Sequence, residues 1–150
     1  SDLPCATRAP AHAARHPAIP MPKEKARPDA FEITFFESVL RRSPRYTRVI
    51  ELLAGLYTKQ GRIADGLRMD RRLVRLQPAN AMAHYNLACS LALIGEPERA
   101  GRELKHALDL GFRDFRSLQR DPDLASARKH PAFHRVSAKV SALTTSHPPA

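Results

Sequence analysis

With 150 residues, 43% of them apolar, the chain has room for one domain with a core of moderate size. Its net charge of +10 favours an acidic protein, nucleic acid or anionic lipid as partner, and no apolar run approaches the roughly 18 residues of a membrane span. Two cysteines, Cys5 and Cys89, form no metal spacing and no disulfide framework, and the N-terminus has no charged start leading into an apolar stretch, so a reducing, cytoplasmic setting is expected.

Residues 1–28 read as an irregular, Pro-rich arm. Pro4, Pro10, Pro17, Pro20, Pro22 and Pro28 crowd it, and such a run propagates neither a helix nor a sheet ladder. Helical patterning begins at residue 29. Ile50, Leu53, Ala54 and Tyr57 recur on one helical face, and Gly61 stops that helix. Ile63, Ala64, Leu67, Leu73, Val74 and Leu76 form the face of a second helix, which ends before Pro78. Asn80 is placed to cap a third, carrying Leu87, Ala88, Leu91 and Leu93. Gly95 breaks it, Pro97 suits the first turn of a fourth, and Gly111 terminates that one.

The chain matches itself at an interval of 34. Leu53, Ala54, Tyr57 and Gly61 fall on Leu87, Ala88, Leu91 and Gly95, and Leu73, Val74 and Pro78 fall on Ala107, Leu108 and Phe112. One step upstream, Phe36, Val39, Leu40 and Pro44 precede Asp70, Leu73, Val74 and Pro78 by the same interval. A fixed period of this size signals stacked supersecondary units. The small residues Ala88, Ala100 and Ala107 stand where helices would cross closely.

In "LLAGLYTKQGRIADGL", "RRLVRLQP" and "NLACSLALIGEPERAGRELKHAL" these residues resemble the tetratricopeptide repeat family. The resemblance implies an all-α helical-repeat stack, an α-solenoid of about two and a half repeats over residues 29–112. Single positions depart from the pattern: His84 replaces a usual Trp, Gly66 an Ala, Asp70 an aromatic and Phe112 a Pro. Asp70 is the sharpest of these. It is expected either buried, with His84, Asn86 or an arginine as partner, or at the surface of a slightly rotated helix.

Residues 113–143 are expected to form a helical cap. Asp114 and Asp121 are good N-caps, and Pro131 opens a last helix with Phe133, Val136 and Val140 on one side. The segment is similar to the closing piece of many bacterial tetratricopeptide chains. Phe112, Phe115, Leu118, Leu124 and Phe133 would cover apolar surface at the open end of the stack. Residues 144–150, with Pro148 and Pro149, read as a flexible tail.

Chemistry-bearing patterns are sparse. His130 and His134 have the spacing of two helical metal ligands, but Pro131 puts His130 at a helix boundary and no third ligand is near in sequence. No carboxylate pair has a partner base, and Cys89 reads as a structural or groove-lining thiol. The expectation is therefore no enzyme activity, no metal and no cofactor.

Two surfaces remain as candidates. The resemblance implies a concave groove lined by inner helices, and its offsets select Arg48, Glu51, Leu52, Gly55 and Lys59, then Met82, Tyr85, Asn86, Cys89 and Leu93. An apolar strip with an amide and flanking cations suits an extended or helical peptide. Asn86 matches one position of the family's carboxylate clamp, but the companion cations are not matched. Alternatively, Met82 and Tyr85 pack against the chain's own N-terminal arm. The second surface is basic. Between residues 41 and 75 ten Arg and Lys face three acids, a net +7, and Arg68, Arg71, Arg72 and Arg75 form one helical stripe. Few aromatics interleave them, so base stacking is unsupported. The function expected is a non-enzymatic protein-interaction module or scaffold subunit of a larger assembly. It would hold an acidic or extended partner segment in the groove, with help from the basic surface. A basic accessory protein associated with nucleic acid is the alternative.

Overall fold

The computed structural model describes residues 29–146, and every regular element among them is helical. In order these are α1 (Asp29–Arg42), α2 (Thr47–Lys59), α3 (Ile63–Leu76), α4 (Ala81–Leu93), α5 (Pro97–Asp109) and α6 (Phe115–Arg120). A 3-10 turn at Pro122–Leu124 leads into α7 (Ala125–Arg128), and α8 (Phe133–Thr145) ends the described chain. From α1 to α5, each helix packs on the next. None of the described helices is long and apolar enough to cross a membrane. The expected arm at 1–28 and residues 147–150 of the expected tail lie outside the described residues. The last helix runs to Thr145, two residues past the expected end of the cap.

The 34-residue interval has a direct structural counterpart. Thr47 and Ala81 open α2 and α4, and Ile63 and Pro97 open α3 and α5, at that same offset. The connecting turns rest on Gly61 and Gly95, whose φ values of 77° and 79° are left-handed and disfavoured for any residue with a Cβ. In each turn a backbone N–H folds back onto an otherwise orphaned helix carbonyl, Arg62 onto Tyr57 and Glu96 onto Leu91. Asn80 caps α4 by accepting from the Ala83 N–H at 3.1 Å, and Pro97 occupies the first turn of α5.

Two apolar clusters form the core. One gathers Ile50, Leu53, Ala54 and Tyr57 of α2 with Met69 and Leu73 of α3; the other gathers Leu87, Ala88 and Leu91 of α4 with Leu104, Ala107 and Leu108 of α5. Ala88, Ala100 and Ala107 are completely buried. Gly66 explains its own departure from the repeat pattern. A Cβ there would stand 2.7 Å from Thr58 Oγ1, so α3 approaches α2 more closely than an alanine permits.

Asp70 lies inside, 4% exposed. Ser90 Oγ donates to its Oδ2 at 2.5 Å, tying α3 to α4 across the two helix pairs. The expected partners are replaced by this hydroxyl, because His84 turns instead to Glu103 and to the Pro78 carbonyl. Burial pushes the Asp70 carboxyl up to about 7, while the Ser90 hydrogen bond pulls the other way.

Asp114 and Asp121 cap as the sequence suggests, accepting from the Ser117 and Asp123 N–H groups at 3.0 Å. Phe112, Leu118, Leu124 and Val136 are buried, and Phe115 and Phe133 half-buried. Beyond Arg120 the chain divides its packing. The 3-10 turn lies against α4 and α7 touches both α4 and α5, whereas α8 lies along α5 and is joined to it by the Lys139–Asp109 ion pair. The second helix pair is thus held from two sides.

Candidate functional site

The division of the C-terminal segment decides what the expected groove can do. On α2, Arg48 and Glu51 are exposed and pair with each other at 3.1 Å, and Leu52 and Gly55 are half-buried. Lys59 is exposed but reaches back to Asp29 at 3.2 Å, so it ties α2 to the start of α1. On α4, Met82 and Leu93 are exposed and Asn86 is half-buried.

Tyr85 and Cys89 are different, at 2% and 4% exposed. The Tyr85 ring stacks on Phe112 with centroids 4.4 Å apart, and its hydroxyl donates to Asp121 Oδ2 at 2.7 Å. Cys89 Sγ reaches the same carboxylate oxygen at 3.8 Å. Ser126 Oγ on α7 donates to the Ala92 carbonyl, and Arg128 Nη1 donates to the Asp121 carbonyl at 2.7 Å. Tyr85 and Cys89 are therefore not partner contacts in this conformation. They are where the cap latches onto α4, because the segment after Arg120 returns across the very face that the repeat offsets leave open. Asp123, half-buried beside Asp121, has its carboxyl raised by desolvation and by that neighbouring charge. The alternative cover, the chain's own N-terminal arm, falls outside the described residues.

The arginine stripe divides as well. Arg68 pairs with Asp65 at 2.7 Å, and the Arg72 guanidinium donates to the Pro44 carbonyl, spanning α3 and the turn after α1. Asp65 is held below the usual carboxylate range by its hydrogen bond from Arg62 and then by the two guanidinium charges. Arg71 and Arg75 are exposed, with no ion-pair partner among the described residues.

Arg71 stands on the rim of a cleft that sequence reasoning did not single out. Its walls are Arg71 of α3 and Arg99, Arg102 and Glu103 of α5, and its floor is Leu87 and Leu91 of α4. Arg99 is loosely paired with Glu96 at 3.9 Å, and Glu103 turns its carboxylate to His84 at 2.7 Å. Leu87 and Leu91 are almost wholly buried, so the accessible surface of the cleft is chiefly that of its charged side chains, and three guanidinium groups there can recognise carboxylates. A signal was present: at the 34-residue interval Arg68 falls on Arg102 and Arg71 on Lys105, so both helices carry cations at matching positions.

His130 accepts from the Ala132 N–H through Nδ1 at 3.1 Å, within the turn before α8, and His134 is exposed on α8.

No family model matches the chain. It is 26% identical over 106 residues to a chloroplastic protein of Arabidopsis thaliana, a match covering 68% of this chain and 32% of that protein. The chain thus spans about a third of the length of the curated relative it matches.

Proposed function

We propose that the chain is a non-enzymatic protein-interaction module of tetratricopeptide type, a scaffold subunit that holds an acidic, extended segment of a partner protein. The observation that carries this reading is the cleft of Arg71, Arg99 and Arg102 over Leu87 and Leu91. Charge around it attracts a segment bearing Asp and Glu, and guanidinium groups take carboxylates with two parallel hydrogen bonds. The 34-residue offset between helix pairs supports the repeat assignment, as does the packing of α4 against both α3 and α5. A reducing, cytoplasmic setting belongs to the same reading.

The test is a titration with labelled peptides and oligonucleotides at two salt concentrations. A Glu-rich peptide should bind more tightly than a Gln-rich peptide of the same length. Changing Arg71, Arg99 and Arg102 together to Gln should weaken it about tenfold or more, with the circular dichroism of the parent retained. Oligonucleotide binding tighter than either peptide, and lost equally on changing Arg68 and Arg75, would reject this reading in favour of a nucleic-acid accessory role.

A further inference from the structure

Glu103, which lines that cleft, also meets two histidines outside it, and the partner-binding reading does not require that cluster. His84 comes from the first turn of α4, and Glu103 and His106 stand one helical turn apart on α5. One ligand atom from each lies within 4.8 Å of the others. The two imidazoles face each other with centroids 4.2 Å apart.

The hydrogen bonds determine which His84 nitrogen is available. Nε2 lies 2.7 Å from the Pro78 carbonyl oxygen, which only accepts, so Nε2 carries a proton. Nδ1 lies 2.7 Å from Glu103 Oε2, and an ionised carboxylate also only accepts. Two acceptors this close are joined by a proton, and a metal ion taking its place would spread them. An N–H held by a backbone carbonyl fixes the ring as an outer-shell partner does for a metal-ligating histidine. His84 is 3% exposed, so its ring is held in place before any ion arrives. His106 is exposed and Glu103 half-buried, so the ion has an entry path and two adjustable ligands.

We infer that His84 Nδ1, Glu103 and His106 bind a divalent transition-metal ion of the zinc type. Two imidazoles and one carboxylate match the ligand preference of that class and not that of Mg²⁺ or Ca²⁺, which take oxygen shells. Tetrahedral ligands at about 2.1 Å from an ion stand about 3.4 Å apart. The His84–Glu103 pair, 2.7 Å apart, therefore opens and the wider separations, up to 4.8 Å, close by about 1.4 Å, both within reach of side-chain rotation on the exposed face of α5. Three protein ligands leave one position for water, on the His106 side where the site meets solvent. The bound ion would clip α4 to α5, the pair whose walls and floor make up most of the cleft.

The experiment titrates the full chain with zinc chloride by calorimetry and records melting temperature with and without the ion. Cobalt(II) substitution then supplies a visible spectrum that reports tetrahedral coordination. One ion per chain should bind, raising the melting temperature, and Mg²⁺ at the same concentration should not. His106→Gln and Glu103→Gln, both on the accessible side, should each lower the affinity about tenfold or more and remove the cobalt bands. The double change His130→Gln with His134→Gln should retain both. Zinc binding unaltered by His106→Gln and Glu103→Gln, or its loss in the His130 and His134 variant, would overturn the assignment. So would the absence of any zinc-dependent shift, which would leave the proton as the ion between His84 and Glu103.

Discussion

Asp70 offers the sharpest quantitative test of the core. Its carboxyl is raised from 3.8 to about 7, chiefly by burial. In the unfolded chain the group ionises near pH 4, whereas in the folded chain it stays neutral to about pH 7. Between those values unfolding releases a proton. Stability contributed at low pH is therefore lost as pH rises through the window, and the loss is complete above about pH 7. A displacement of about three pH units corresponds to roughly 4 kcal/mol over the whole window, an upper figure because a relaxing site lets water in. Asp70→Asn stays neutral throughout and keeps an oxygen to accept from Ser90. Urea unfolding followed from pH 4 to pH 8 should show near-equal stability of variant and parent at pH 4. At pH 8 the variant should be more stable by a few kcal/mol, worth roughly 10 °C in melting temperature. The difference between the two curves isolates Asp70 from every other titrating group. Parallel curves across the window would mean that Asp70 is solvated and that α3 and α4 do not meet through Ser90.

Four further outcomes follow from the packing. Tyr85→Phe keeps the stack on Phe112 but removes the donor to Asp121, and should cost about 1–2 kcal/mol in chemical denaturation while raising hydrogen exchange in 121–128 more than in α2. Leu104→Ala empties a fully buried site and should cost about 2–5 kcal/mol, read from the urea midpoint. Gly95→Ala forces a Cβ into a left-handed turn with open space around it, so strain alone should cost about 1 kcal/mol in the same assay. The Tyr57 hydroxyl, buried and bonded to Glu37 at 2.6 Å, is pushed up to about 12. Stability should accordingly fall between pH 10 and 12, as the unfolded chain loses the proton first, and spectrophotometric titration of Tyr57→Phe should lack that late-ionising group.

What is local and periodic in this fold was legible in the residues alone. Asn80, Asp114 and Asp121 cap because their side chains reach N–H groups two or three residues away, and Gly61 and Gly95 turn because a missing Cβ acts at its own position. The burial of Leu53, Leu87 and Leu104 follows from helical spacing once neighbouring helices supply a face. Where the segment after Arg120 returns was settled by packing between distant helices. Its passage over α4 converts Tyr85 and Cys89 from expected groove residues into a latch, a consequence that no offset within one repeat contains. The same holds for Asp70 with Ser90, for Arg71 opposite Arg99 and Arg102, and for His84 with Glu103. Each of these joins residues about 20 or more positions apart on different helices, and whether they meet depends on helix rotation and close approach, which periodicity leaves open.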